Sequence, residues 1–342
     1  MKIIKHEQGF TLLELVISLA LGLILVAIAV QLVFSGQSNY RIQQAASTIQ
    51  DSGVFSLNAV TKNIRLANHG NAADIHDETL YGGIVLSAQA PIGMLASGTR
   101  TGNLLGLKIG TTDIVDVVGL SRSGLNTSGF GNIKSDQLVI IYQAPVDMTT
   151  CTGINVKGAE KTLNIADGTM RMNKGWYVIE RYYLKQNTST GSADLYCSDA
   201  IFLAEGEDVP SGANAVAGLT TTRSLHQNYI TRGGQMIAPN VDFMKVQLLV
   251  KNKDENGVIT TGTMSIAEYT ALALSTVDAE LKRPMIMGIN MGWLVRSTDK
   301  ISNAVSRSYN ILGETLTPPA GDKYMRHVYT TSIALRNGGL GE

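Results

Sequence analysis

The chain is poor in charge. Of its 342 residues, 28 are basic and 28 acidic, 16% in all, and the formal net charge is zero. No basic run of five or more occurs, so no global field draws nucleic acid or an anionic surface to the molecule as a whole. Ser, Thr, Asn, Gln and Gly fill much of the polar remainder, a composition that suits β-rich proteins outside the cytoplasm. Cysteine is equally scarce, with Cys151 and Cys197 alone. An even, small number suits a single disulfide in an exported chain; the alternative is two free buried thiols. A 151–197 bridge would enclose 46 positions and contribute about 3–4 kcal/mol through loop closure.

Signatures of catalysis are missing too. The sequence has no Gly-Lys pair of a P-loop, no HExxH, no CxxC and no nucleophile elbow. Gly129-Phe130-Gly131 lacks the third glycine of a dinucleotide fingerprint. His6, His69, His76, His226 and His327 show no metal-ligand spacing. Asp254, Asn256 and Gly257 match part of a calcium loop, but Ser265 stands where the twelfth-position acid belongs, so a solvated hairpin turn is the better reading. Glu205-Gly206-Glu207-Asp208 reads as a surface loop. The expectation is a protein that is not an enzyme, with no cofactor, no metal and no nucleic-acid partner.

The N-terminal segment is informative. Residues 1–9, MKIIKHEQG, are made positive by Lys2 and Lys5, and residues 10–34 then hold a single charged side chain, Glu14. As a helix that run spans roughly 37 Å, enough to cross a bilayer. With the next basic residue at Arg41, the charge asymmetry places residues 1–9 in the cytoplasm and the bulk outside. A cleaved secretory signal has a shorter apolar region and a small-residue cleavage site at its end; here Ala27 and Ala29 lie inside the run. A plain anchor leaves Glu14 unexplained, since a carboxylate in lipid marks function or a paired charge. Cleavage after Gly9 would create an α-amino group on Phe10, which Glu14 of a neighbouring subunit can pair with.

Gly9, Phe10, Thr11-Leu12-Leu13, Glu14 and the apolar tail resemble the class III signal of type IV pilins and type II secretion pseudopilins. The resemblance implies that a prepilin peptidase cuts between Gly9 and Phe10 and that Phe10 is N-methylated. It also implies that Glu14 guides docking into a filament.

Beyond the apolar run, Ile42, Ala46, Ile49, Gly53, Leu57, Val60, Ile64 and Ala67 trace one helical face, opposite Arg41, Asp51, Lys62 and Arg65. Gly53 weakens this helix by about 1 kcal/mol relative to Ala and permits a bend. Asn68-His69-Gly70-Asn71 is the stop. The sequence therefore predicts one helix of ~58 residues, about 85 Å long. From about Asn71 the texture turns to short apolar runs between Gly-rich stretches. Strands are predicted at 84–86, 114–118, 138–142, 176–184, 201–204, 243–250, 286–296 and 325–336, with a turn at Asp254-Glu255-Asn256-Gly257. A short helix is predicted over 265–281, with Ser265 and Glu268 as a capping pair. A helix-like segment from about Ala304 ends at Pro318-Pro319.

The expected fold is α+β and pilin-like: a long N-terminal helix packed on a large antiparallel head. Its divisions are a leader at 1–9, a membrane and filament-core half at 10–34, an amphipathic half at 35–70 and the head at 71–342. Asn240-Val241-Asp242, Val246-Gln247-Leu248, Met291 to Ser297 and Ala334 to Asn337 are similar to PilW-type minor pilins. So are Ser38 to Arg41, Gln50 to Phe55 and Asn63 to Ala67. This resemblance implies a low-abundance subunit that primes or caps a type IV pilus, in pilus biogenesis, twitching motility and adhesion. The implied partners are other minor pilins, the major pilin and a tip adhesin. The implied location is the inner membrane with a periplasmic head, then the pilus surface after assembly. The alternatives are a minor pseudopilin of a type II secretion system and, more remotely, a tethered enzyme or binding module.

Overall fold

A computed structural model describes residues 10–89, 101–115, 117–163, 168, 170–204, 221–253, 258–272, 283–302 and 304–335. The long helix runs as α1 (Leu12–Gln50), a π-helical turn (Asp51–Phe55) and α2 (Ser56–Ile64). The turn falls on Gly53, the residue expected to weaken the helix, and Gly53 is buried against the ring of Tyr329. Beyond Ile64 the chain leaves the helix through Asn68 and Gly70, both at positive φ (67° and 85°), where a left-handed residue ends a helix.

The face that seats on the head is Ala45, Ile49, Gly53, Ser56, Val60, Ile64 and Ala67. The periodicity expected Ala46 and Leu57 there. Instead Ala46 is exposed and Leu57 half-buried, because the π turn rotates the residues around Gly53 out of a uniform helical register. Ile49, Val60 and Ile64 are fully buried, each worth about 1.5–3 kcal/mol relative to exposure.

The head contains two principal sheets. The first is an antiparallel meander of β1 (Arg122–Asn126), β2 (Ser135–Gln143), β3 (Tyr177–Gln186), β4 (Ala193–Phe202) and β5 (Gln235–Ala238), each strand beside its sequence neighbour. The second contains β6 (Val241–Lys253), β7 (Ile259–Ser265), β8 (Met285–Lys300) and β9 (Tyr324–Ala334), in the order β7-β6-β8-β9. Alternation along β3 is as the sequence suggests: Val178, Tyr182 and Leu184 join the core under the helix, while Tyr177 and Ile179 join a second core on the opposite face. In that second core Tyr81, Tyr177 and Phe202 pack with ring centroids 5.0–5.1 Å apart. Asp136 joins the sheets, accepting from the backbone N–H of Gly124 on β1 (2.9 Å) and of Val246 on β6 (2.9 Å).

Several predicted elements differ. The run 114–118 is not a strand: a short strand ends at Asp113 and Val117–Gly119 form a 3-10 turn. At 84–86 only an isolated bridge, Ile84 to Ile140, is present among the described residues. The segment from Ala304 is not helical. It holds a hairpin, Tyr309–Ile311 with Glu314–Leu316, turned by Leu312 and Gly313 at positive φ. The predicted 201–204 strand is the end of the longer β4. The helix predicted from Ser265 forms as α3 (Ile266–Ala271) with both halves of its capping box, while residues 273–282 lie outside the described residues. So do the 254–257 turn and the acidic 205–208 segment.

Candidate functional site

The first turn of α1 is built by Thr11 and Glu14. Thr11 is the N-cap: its hydroxyl oxygen accepts from the Glu14 N–H (3.3 Å), and its own N–H and Oγ1–H donate to the Glu14 carboxylate (both 3.0 Å). Thr-Leu-Leu-Glu is thus a capping box, a pattern already present in the sequence and recognised there only at Ser265–Glu268. Glu14 is exposed on the helix and satisfied by its own chain. Phe10 stands just before it with 89% of its surface exposed. Gly9 lies outside the described residues. Among the described residues, one helix is long and apolar enough to cross a membrane, and its apolar half touches nothing else in the molecule.

The other end of the helix is fixed to the head at Glu180, which sequence reasoning did not single out. This carboxylate on β3 is fully buried and accepts from four neutral donor groups. Asn63 Nδ2 of α2 lies 3.1 Å from each oxygen. The Tyr142 hydroxyl is at 3.0 Å, the Tyr182 hydroxyl at 2.5 Å and the Cys151 backbone N–H at 2.8 Å. Burial pushes the Glu180 carboxyl above its ordinary pKa, against the pull of these hydrogen bonds. Burial and the facing carboxylate also raise both tyrosine hydroxyls, so they remain donors. No short-range sequence signal marks the cluster, because its members come from residues 63, 142, 151, 180 and 182.

Cys151 and Cys197 are joined by a disulfide with Cα atoms 6.3 Å apart. It ties the 150–153 turn to β4 beside Glu180. The three side chains lie within metal-binding distance of one another, but with both sulfurs committed to the bond they offer no thiolate ligands. On the neighbouring register position of β4, Asp199 accepts from the Thr152 hydroxyl (2.7 and 2.8 Å) and faces Arg232 at 3.5 Å.

The separate C-terminal stretches singled out in the sequence meet in space. Asp242, buried on β6, accepts from Arg326 Nε of β9 (2.8 Å) and faces Arg296 Nε of β8 at 3.6 Å. Arg326 also forks onto both oxygens of Asp322 (3.0 and 2.9 Å). Arg296 N–H donates to the Asn240 carbonyl, and Ser297 Oγ accepts from Met325 N–H. Burial pushes the Asp242 carboxyl up, while the two guanidinium groups pull it back.

Residues 181–337 match the family of Type IV pilus-assembly protein W, and residues 4–30 match the prokaryotic N-terminal methylation motif. The chain thus joins a PilW-like region to a prepilin-type N-terminal motif. The PilW-matching region takes in β3 from Arg181 and the whole Asp242–Arg296–Arg326 cluster; the methylation motif takes in Gly9, Phe10 and Glu14. No curated protein matches the chain. Among solved structures it is similar to a type IV-like pilin from Thermus thermophilus at 12% identity, over 64% of this chain and 85% of that one, with a TM-score of 0.26.

Proposed function

We propose that this chain is a minor pilin that enters a type IV pilus as part of a priming or tip complex, alongside other minor pilins and the major pilin. The supporting observation is the pairing of a complete processing motif with a helix whose first half is bare and whose second half is locked to a head. Such a helix is anchored in the inner membrane before assembly and buried among other helices afterwards. On this reading a prepilin peptidase cuts after Gly9, Phe10 becomes the methylated N-terminus, and Glu14 leaves its own capping box to pair with the amine of an adjacent subunit. The head then stands in the periplasm and later on the filament surface, where roles in motility and adhesion follow.

Replacing Glu14 by Ala while following the pilus tests this. The expected result is a head that keeps its disulfide and its fold, with markedly fewer pili. Normal piliation would remove the assembly role. A secretion defect with intact pili would move the protein to a type II secretion pseudopilus.

A further inference from the structure

The molecule has a cleft of about 930 Å³ where α1 passes the lower end of β8. Its rim carries Tyr40, Arg41 and Gln44 from the helix and Thr298, Asp299 and Lys300 from the strand, all exposed. Its floor is apolar, made by the buried Ala45 and Ile301. Among the described residues neither Arg41 nor Lys300 is within ion-pair distance of a carboxylate. Lys300 Nζ sits 5.7 Å from the centre of the Tyr324 ring. Asp299 shares the rim, so the cleft carries a net single positive charge.

Position sets this cleft apart. The apolar run ends at Phe34. Tyr40 and Arg41 follow it by about 10 Å of helix, and the run itself, roughly 37 Å, exceeds a ~30 Å hydrocarbon core, which brings the cleft to the level of lipid headgroups. A tyrosine beside unpaired cations over an apolar floor is the chemistry of that layer. A second groove gives the contrast. Lys62 and Arg65 line it with Leu66 and Leu335, but about 40–45 Å of helix beyond Phe34, out of reach of a bilayer.

We propose that the cleft between α1 and the end of β8 binds the phosphate of an anionic phospholipid, with Arg41 and Lys300 on the headgroup and Ala45 and Ile301 beneath it. The lipid sets the height and rotation of the head on the membrane while the subunit awaits assembly. This rests on the membrane-anchored reading above.

The test uses the full chain in nanodiscs of equal phosphatidylglycerol and phosphatidylcholine, with native mass spectrometry counting the lipids kept on release. The expected result is one phosphatidylglycerol kept in preference to phosphatidylcholine. Arg41→Ala with Lys300→Ala should lower that preference about thirtyfold, as for loss of two cations near an anionic surface. Asp299→Asn should raise it, and Lys62→Ala with Arg65→Ala should leave it unchanged. Equal loss in both double variants would overturn the site, as would removal of the lipid by excess inorganic phosphate. A chain that inserts but shows no preference overturns this inference alone. A chain that fails to insert overturns the anchor reading with it.

Discussion

Burial holds the Glu180 carboxyl above its ordinary pKa, and no cation among the described residues offsets it. The folded state therefore keeps this proton more readily than the unfolded chain does. The associated stability is greatest below the ordinary carboxylate value and declines as pH rises from about 4 through the raised folded value. Asp136 and Asp242 are shifted in the same direction, again chiefly by burial. Denaturant midpoints of the detergent-solubilised chain should accordingly fall across that range, and Glu180→Gln should flatten part of the decline. An unchanged slope in the variant would show that Glu180 is not among the titrating groups. Gly53 offers a second test with an unusual sign. Gly to Ala inside a helix ordinarily stabilises by about 1 kcal/mol. Here an added Cβ falls within the Tyr329 ring, so Gly53→Ala should destabilise by roughly 1–3 kcal/mol. Adding Tyr329→Ala should abolish that penalty; a double variant with additive losses would sever the link between the two residues.

The disulfide acts on the 150–153 turn as an element. That turn supplies the Cys151 N–H to Glu180 and the Thr152 hydroxyl to Asp199, so the bond fixes the donors of two buried carboxylates at once. Replacing both cysteines by Ala should lower stability by about 3–4 kcal/mol in the chain-entropy picture, read as a shift in denaturant midpoint. A loss well beyond that range would show that the turn itself comes apart. At this scale the sequence reading succeeded where one short-range pattern controls an element. The 3.6-residue spacing of Ile49, Val60 and Ile64 revealed the helix, and the alternation along Tyr177–Leu184 revealed a strand between two cores. It failed where distant groups decide. The apolar run 114–118 looks like a strand, yet its backbone is taken up elsewhere: Ile114 N–H donates to the Leu107 carbonyl, and the Val118 carbonyl accepts from Gln137 Nε2. The 309–316 hairpin turns on Leu312 at positive φ, a conformation that nothing about leucine announces. Glu180 carried no visible role, because three of its four donors, from Asn63, Tyr142 and Cys151, lie far from it in the chain. Thr11–Glu14 was legible twice over, as part of the methylation motif and as a helix cap, and the sequence reading took up only the first.

Taken whole, the molecule is a bare apolar rod joined to a head that grips only the rod's upper half. Mature protein should begin at Phe10, and N-terminal sequencing that found Met1 would contradict processing at Gly9. The joint between rod and head has a consequence in time. The first sheet pairs neighbours in chain order and can zip as the chain emerges. The seat of the helix cannot be finished that way. Tyr329 closes on Gly53, and Leu335 completes the core around Ile49 and Ile64, so residues from the first fifth of the chain wait for those in its last tenth. Until β9 arrives, the helix is held by a head with one wall missing. On the proposed reading, a subunit cut short before residue 324 would therefore still carry its signal and its anchor, reach the membrane, and offer neighbours a rod with an unfinished handle.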